Sequence, residues 1–510
     1  MKPDRLFIGI DSGTQGTKAV LFSEKSRGII AQAHSEYTMM ENEQGAREQD
    51  PEIWINACRR VIGELLQEPD ISCSSIKGIG VSGQQHGMVP LDKENQVIRP
   101  AKLWCDTQTT AQCKALTLTL GGEAALIKRI GNRMAEGFTA PKILWLKENE
   151  PTNYDRLDRI LLPHDYINFW LTGQKRTECG DASGTAYFDV ENRTWSTEVL
   201  NAIDTTGKLS DCLPELISSQ EPCGYIRKEL MSEFGFSKDT LVSSGGGDNM
   251  MAAIGTGNVV PGVVTASLGT SGTIYAYSDT PVMDKQGVLA CFCSSTNGWL
   301  PLVCTMNVTV ATELVRKVLG LSLSEMNTLA ATAEPGSQGI ILLPYFNGER
   351  TPPLPNSRGS FHGLTPLNFT RENFSRAAME GATMGLKYGM NILREHGISP
   401  KEIRLTGGGA KSGLWRQMAA NMFNCPVISP VAKEAGALGA ALQAYWCWNH
   451  ENQNKIPLAA ITDMFIEMDP DTRCEPDRDT AQVYETLFEH YLKINSALTP
   501  FPMNTKAARA

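Results

Sequence analysis

The stretch Ile8-Gly9-Ile10-Asp11-Ser12-Gly13-Thr14-Gln15-Gly16-Thr17-Lys18-Ala19-Val20-Leu21-Phe22 sets a Gly/Thr turn between two apolar, strand-like runs. Midway along the chain the pattern returns as Val264-Thr265-Ala266-Ser267-Leu268-Gly269-Thr270-Ser271-Gly272-Thr273-Ile274-Tyr275-Ala276-Tyr277. Gly-Thr-x-Gly-Thr is intact at 13–17 and at 269–273, about half of the 510 residues apart. One such turn is an ordinary hairpin, in which glycine supplies a positive φ. Two copies at this separation indicate a duplicated unit.

A weaker correspondence accompanies each copy. After the first come a helix-like segment from Trp54 to Leu66, a strand from Ile76 to Val81, and the turn Ser82-Gly83-Gln84-Gln85-His86-Gly87. After the second come Phe374 to Leu393, a strand from Ile403 to Thr406, and Gly407-Gly408-Gly409-Ala410-Lys411-Ser412. Both read as helix, strand, glycine turn. The expected fold is therefore two related α/β lobes facing a central cleft, residues 1–254 and 255–510. The join falls near Gly245-Gly246-Gly247-Asp248-Asn249, where the glycines serve either as a hinge or to let strands pack closely. Near the end of the chain, Tyr484, Leu487, Phe488, Tyr491 and Leu492 recur at helical spacing and are expected in the core.

Composition narrows the function. A chain of this length needs at least two cores. Its 41% apolar and 20% charged residues are ordinary globular usage. A net charge of −9 disfavours a protein that wraps nucleic acid, but leaves room for a phosphorylated small molecule. The 13 cysteines include no C-x-x-C, so reduced thiols are expected rather than zinc or disulfide chemistry. The opening Met1-Lys2-Pro3-Asp4-Arg5 is unlike a signal peptide. The uncharged stretch Asn249–Ser278 is broken by Gly255, Gly257, Pro261, Gly262, Gly269 and Gly272, so no membrane span is expected. The expectation is a cytoplasmic protein.

Glycines let backbone N–H groups approach an anion, threonine hydroxyls add donors, and Lys18 adds charge. Asp11, at the strand end, could hold a Mg²⁺ that bridges phosphates. In the second copy its place is taken by Ser267, so only the first turn supplies a carboxylate. Asp248, after three glycines, is open enough to accept a proton from a substrate hydroxyl, with Asn249 beside it. The plainer alternative is an Asp-Asn turn capping the next helix. Residues 407–412 form neither a P-loop nor a dinucleotide fingerprint, but could lay backbone against a base or ribose. Gln85, His86, Trp104 and Asp106 suit a small polyol.

Together these residues resemble the FGGY carbohydrate kinases, members of the actin and hexokinase ATPase fold. Two family signatures carry the likeness. One runs Gly137-Phe138-Thr139-Ala140-Pro141-Lys142-Ile143-Leu144-Trp145-Leu146-Lys147-Glu148-Asn149. The other runs Gly359-Ser360-Phe361-His362-Gly363-Leu364 and then Asn373-Phe374-Ser375-Arg376-Ala377-Ala378-Met379-Glu380. The resemblance implies two ribonuclease-H-like domains, a sugar lobe followed by a nucleotide lobe, and ATP with Mg²⁺. It implies a ketopentose acceptor, D-xylulose, with Asp248 as the base for its C5 hydroxyl. It assigns Gln85, His86 and Asn249 to the sugar, beside which Asp106 is taken as a further sugar contact, and Thr270, Gly408, Gly409 and Ser412 to ATP. Asp11, Gly13, Thr14 and Lys18 fall in its phosphate and magnesium region, and dimers are common in the family. Gln85 stands where many members carry Met, and Trp104-Cys105-Asp106-Thr107-Gln108 lacks the arginine of W-N-D-x-R. Rival readings are a kinase for ribulose, L-xylulose or another polyol, and a non-catalytic nucleotide-binding regulator. Glu349-Arg350 reads equally as a bracing ion pair or a nucleotide contact.

Overall fold

The structure, a computed structural model, describes residues 4–69 and 71–497. The described residues form two compact units. One draws on the spans Met1–Val260, Tyr277–Pro301 and Glu434–Ile466, the other on Pro261–Ala276, Leu302–Lys433 and Glu467–Ala510.

In the first unit the strands are β1 (Leu6–Ser12), β2 (Gly16–Ser23), β3 (Gly28–Glu36), β4 (Ile76–Gly83), β5 (Pro222–Tyr225), β6 (Leu241–Ser243) and β7 (Gly246–Gly247). They lie in the order β5-β6-β4-β1-β2-β3, with β7 also paired to β4. β1, β2 and β3 form an antiparallel meander, while β4 runs parallel to β1, and β6 and β7 run parallel to β4. The switch from meander to parallel strand needs a crossover. Helix Pro51–Leu65 supplies it, opened by Pro51 and by the Asp50 side chain, which accepts from Glu52 N. Its apolar face, Trp54, Ile55, Cys58, Val61, Ile62 and Leu65, is buried against the sheet.

The second unit holds β8 (Val263–Leu268), β9 (Gly272–Ala276), β10 (Leu302–Thr305), β11 (Glu402–Thr406), β12 (Val427–Pro430) and β13 (Met468–Cys474). Their order is β10-β9-β8-β11-β12-β13. Again a three-stranded meander is followed by two parallel strands and an antiparallel edge strand. The duplication read from the two Gly/Thr turns is thus a duplication of topology, and the fold is the two-unit α/β architecture expected.

A single cut after residue 254 does not describe the units. Residues 277–301 and 434–466, placed by the sequence in the second lobe, belong to the first. The cause is helix Ala435–Glu451, whose small residues let its backbone lie directly on the first sheet. A Cβ on Gly9 of β1 would stand 1.8 Å from Ala437 O, and one on Gly80 of β4 would stand 2.0 Å from Ala440 O. The same helix meets helix Asp248–Gly255 through Gly439, whose Cβ would lie 1.8 Å from Met251 O.

The turn glycines have a different reason from the one expected. None of Gly13, Gly16, Gly269 and Gly272 has a positive φ. What Gly16 and Gly272 lack is room: a Cβ on Gly16 would lie 2.8 Å from Ser35 O, and one on Gly272 would lie 2.7 Å from Val308 Cγ2. Helix Arg478–Ala497 buries Tyr484, Leu487, Phe488 and Tyr491, but Leu492 is 37% exposed and lies outside that core. All 13 cysteines are free. Among the described residues no helix is long and apolar enough to cross a membrane.

Gly80→Ala should lower stability by about 1–3 kcal/mol, because the added methyl must displace helix backbone. Gly28→Ala in β3, where nothing lies within 4 Å, should be close to neutral. Urea unfolding midpoints of the two variants test this; equal midpoints would refute backbone contact as the constraint.

Candidate active site

Strand register brings the first group of residues together. Asp11 pairs with Ser82 and Ser82 with Gly246; one step on, Ser12 pairs with Gly83 and Gly83 with Gly247. β1, β4 and β7 therefore end at one level, and the residues just past them gather at the carboxyl ends of parallel strands. Ligand sites of α/β sheets form there.

Asp248 is the first residue past β7 and opens helix Asp248–Gly255. Its Oδ1 accepts from Asn249 N at 2.7 Å and from Asn249 Nδ2 at 2.9 Å. Asn249 Nδ2 also donates to Gln85 Oε1 at 3.0 Å, so the three side chains form one cluster. Poor solvation, then the charges of Asp11 and Asp181, push the Asp248 carboxyl up to about 7, against the pull of the Asn249 hydrogen bonds.

The three glycines before it each make space for a different side chain. A Cβ on Gly245 would lie 3.0 Å from His164 Cδ2, on Gly246 2.3 Å from Ser295 Oγ, and on Gly247 2.6 Å from Gln85 Cγ. Close packing accounts for Gly246 and Gly247, while Gly245 also has a left-handed φ of 72° and lies against Val81 O. The side chains behind it form a buried polar layer that sequence reading missed. His164 Nδ1 lies 2.7 Å from Asp181 Oδ2, and His164 Nε2 lies 2.9 Å from Asp165 Oδ1, all three fully buried. Glu178 accepts from Gly180 N, Asp181 N and Ser295 Oγ, and burial pushes its carboxyl up to about 7. The available signal was His164-Asp165 set inside the apolar run Ile160 to Trp170.

Asp11 Oδ1 accepts from Ser82 Oγ at 2.6 Å. Burial raises its pKa, with the Ser82 hydrogen bond and the Lys18 charge opposing. Lys18 faces Asp11 across the hairpin and closes an ion pair of 2.8 Å with Glu434. A Cβ on Gly436 would lie 2.8 Å from Asp11 Oδ2, so the first turn of helix Ala435–Glu451 leaves that oxygen a cradle of bare backbone. Gly13 O accepts from Tyr37 Oη at 2.7 Å. The Thr14 hydroxyl donates to Gln84 Oε1 at 3.1 Å and accepts from Trp104 Nε1 at 3.0 Å. His86 has a left-handed φ of 64°, its ring centroid 4.7 Å from that of Phe138.

Asp106 does not join this group as a ligand contact. It is wholly buried, accepting from Arg47 N at 2.9 Å, Lys102 Nζ at 3.1 Å and Gln108 N at 3.0 Å. Its polar neighbours made it look like a polyol contact in sequence; in the fold its charge answers a buried lysine.

The second group lies in the other unit. Thr270 is exposed at the tip of the β8–β9 turn, where Val308 N and Thr309 N donate to Thr270 O and Gly269 O at 3.1 and 2.9 Å. Ser267 pairs with Thr406, so the loop after β11 starts beside that turn. Gly407 has φ 87°, and a Cβ on it would lie 2.6 Å from the Leu268 carbonyl carbon. Gly408 has nothing within 4 Å, while a Cβ on Gly409 would lie 2.8 Å from Leu268 Cβ. Ser412 Oγ caps helix Gly413–Phe423 at Trp415 N and donates to Asn327 Oδ1 at 2.7 Å. Thr270, Gly408, Gly409 and Ser412 thus share one end of the second sheet. Glu349 is 2% exposed and accepts from Met306 N, Asn307 Nδ2 and Arg350 N at 2.7, 3.0 and 2.8 Å. It braces the segment whose next amides hold Gly269 and Thr270.

Residues 6–255 match the N-terminal domain of the FGGY family of carbohydrate kinases, and residues 264–448 match its C-terminal domain. The chain belongs to that family. It is 44% identical over 491 residues to a xylulose kinase of Haemophilus influenzae, covering 96% of this chain and 99% of that one. A ligand-bound xylulose kinase from Lactobacillus acidophilus superposes with a TM-score of 0.89 at 26% identity, covering 97% and 98% of the two chains. A gluconate kinase from the same organism superposes with 0.90, also at 26% identity and with the same coverage. The protein is a carbohydrate kinase whose small-molecule substrates are a sugar and ATP. As in other FGGY kinases, the phosphoryl donor is ATP with Mg²⁺.

The folded kinase holds a proton on Asp248 that the unfolded chain releases at roughly pH 4, the ordinary carboxylate value. Stability from this group is greatest below that value and is lost as pH rises through about 7. Asp248→Asn should flatten the fall: the rise of its thermal midpoint relative to the parent should be larger at pH 8 than at pH 5. A midpoint difference that does not change between the two pH values would refute the raised carboxyl.

Proposed function

We propose that this kinase transfers the γ-phosphoryl group of ATP to the C5 hydroxyl of D-xylulose, with Asp248 as general base. The observation that carries the reading is the Asp248–Asn249–Gln85 cluster at the common end of β1, β4 and β7. A carboxyl whose pKa lies near 7 is matched to taking a hydroxyl proton at neutral pH. Phosphoryl transfer otherwise asks the protein for positioning and for neutralised charge. Gln85 is suited to a sugar hydroxyl: it is 5% exposed, and its amide joins Asn249 on one side and bears on the Asp181 carboxyl. His86 and Asn249 complete the sugar contacts in this reading, and Asp106 acts on them only from behind.

Asp11, with its bare backbone cradle, is a fitting hard-oxygen donor for Mg²⁺, which needs only one or two carboxylates beside substrate phosphates. When bound, that ion neutralises charge on the phosphates. Lys18, Gly13 and Thr14 serve the phosphates, and Thr270, Gly408, Gly409 and Ser412 serve the nucleotide. Similarity of fold does not choose the acceptor, since the gluconate kinase superposes as well as the xylulose kinase. The choice of D-xylulose rests on the sequence identity to xylulose kinases. Ribulose and L-xylulose are the acceptors to set against it. A cytoplasmic, homodimeric enzyme belongs to the same reading, resting on the family.

An ADP-release screen over the pentuloses, gluconate and glycerol tests the acceptor; highest kcat/KM on anything but D-xylulose would overturn it. Asp248→Asn should lower turnover by about 10²–10⁴ with sugar and ATP binding retained; near-parental turnover would remove Asp248 from the role. Asp11→Ala should raise the Mg²⁺ needed for half-maximal rate, while Thr270→Ala should chiefly lower turnover. Identical magnesium profiles would refute the division of labour between the two turns.

A further inference from the structure

The first family signature contains a buried cation without a carboxylate bonded to it. Lys142 is 0% exposed, and its Nζ donates to two backbone carbonyls, His86 O and Gly137 O, both at 2.7 Å. Thr139, also 0% exposed, donates from Oγ1 to the same His86 carbonyl at 3.1 Å. One carbonyl thus takes two side-chain donors from the first turn of helix Thr139–Asn149. His86 is the residue that needs holding. A φ of 64° is costly for a side chain of its size and persists only where the surroundings impose it.

The imidazole is confined from the same side. Its centroid lies 4.7 Å from that of Phe138, the residue before Thr139, and 5.7 Å from that of Phe292. A Cβ on Gly184 would lie 2.1 Å from His86 Cε1, so only glycine admits the ring there. Burial pushes the Lys142 ammonium down to about 7, and the nearby Asp106 carboxylate is the largest influence pulling it back up. A methionine would fill the volume of Lys142 without that cost; it could not hold a carbonyl.

We infer that Thr139 and Lys142 are positioning residues that lock the left-handed His86 turn and so fix the imidazole that meets the sugar. The inference rests on the proposed sugar role of His86 for its catalytic consequence, but not for its structural content. Asp106 enters it only as a nearby carboxylate that opposes the effect of burial on Lys142.

The experiment uses the full chain with D-xylulose and ATP. Thr139→Val is nearly isosteric and removes one donor to the carbonyl; Thr139→Ser keeps it. Losing one hydrogen bond of ordinary net strength should raise the D-xylulose KM by roughly five-fold in Thr139→Val. The ATP KM should stay put, and Thr139→Ser should restore the parental value. Lys142→Met should raise the sugar KM further. In parallel, histidine labelled with ¹³C at Cε1 gives a ring resonance for His86, assigned from its loss in His86→Gln. That resonance should shift or broaden in Thr139→Val and Lys142→Met and return in Thr139→Ser. An unmoved His86 resonance in both Thr139→Val and Lys142→Met would overturn the positioning role. A moved resonance with an unchanged sugar KM would uphold it and overturn the contact between His86 and the sugar.

Discussion

The site depends on helix Ala435–Glu451 touching β1, β4 and helix Asp248–Gly255 through backbone rather than side chains. Gly9, Gly80 and Gly439 each face a main-chain oxygen at a distance that no Cβ tolerates. Interiors are packed like crystals, so contacts this close transmit position almost without slack. The helix therefore holds β1, β4 and helix Asp248–Gly255 together, while strand register sets the level at which the strands end. Its own first turn supplies Gly436 beside Asp11, and Glu434 just before it holds Lys18. One element fixes the frame and furnishes part of the chemistry.

That frame concentrates negative charge. The charges of Asp11 and Asp181 both act on Asp248, and Glu178 and Asp165 lie behind it around His164. Carboxylates crowded in poorly solvated positions raise each other's pKa. The arrangement is costly for an isolated chain and suited to one whose ligand brings cations. His164, clamped between two carboxylates, compensates part of that charge from within, and Lys18 compensates another part from the hairpin.

Much of this was legible in the sequence, for definite reasons. The Gly/Thr turns could be found because both units start on a tight hairpin with no room for a side chain at Gly16 or Gly272, and identical constraints leave identical residues. Helices Pro51–Leu65, Arg371–Glu395 and Gly413–Phe423 were legible because apolar periodicity and capping residues are local. Asp248, Asn249 and Gln85 were legible as polar residues set beside glycines at strand ends. What was not legible was long-range. The return of residues 434–466 to the first unit depends on partners hundreds of residues away. Asp106 read as a polyol contact, and Glu349 as a bracing ion pair or a nucleotide contact, because sequence shows charge but not burial. Gly16 and Gly272 do not need the positive φ that a hairpin suggests; crowding leaves the same residue.

The asymmetry between the duplicated turns has the same origin. Both hairpins keep the second glycine, Gly16 or Gly272, that crowding demands. Selection could then act only on side chains that the shared skeleton leaves free. At the strand end, Asp11 in the first copy answers to Ser267 in the second; on the facing strand, Lys18 answers to Ile274. The first turn carries a carboxylate and a cation, and the second carries neither. In the second unit the carboxylate of Glu349 sits behind the turn instead, bonded to the segment that holds Gly269 and Thr270. Asp11 keeps a carboxylate at the strand end of its turn, bonded to Ser82, whereas Glu349 is bonded to backbone amides and stiffens the segment behind the other turn. Two copies of one topology thus differ in where a carboxylate stands.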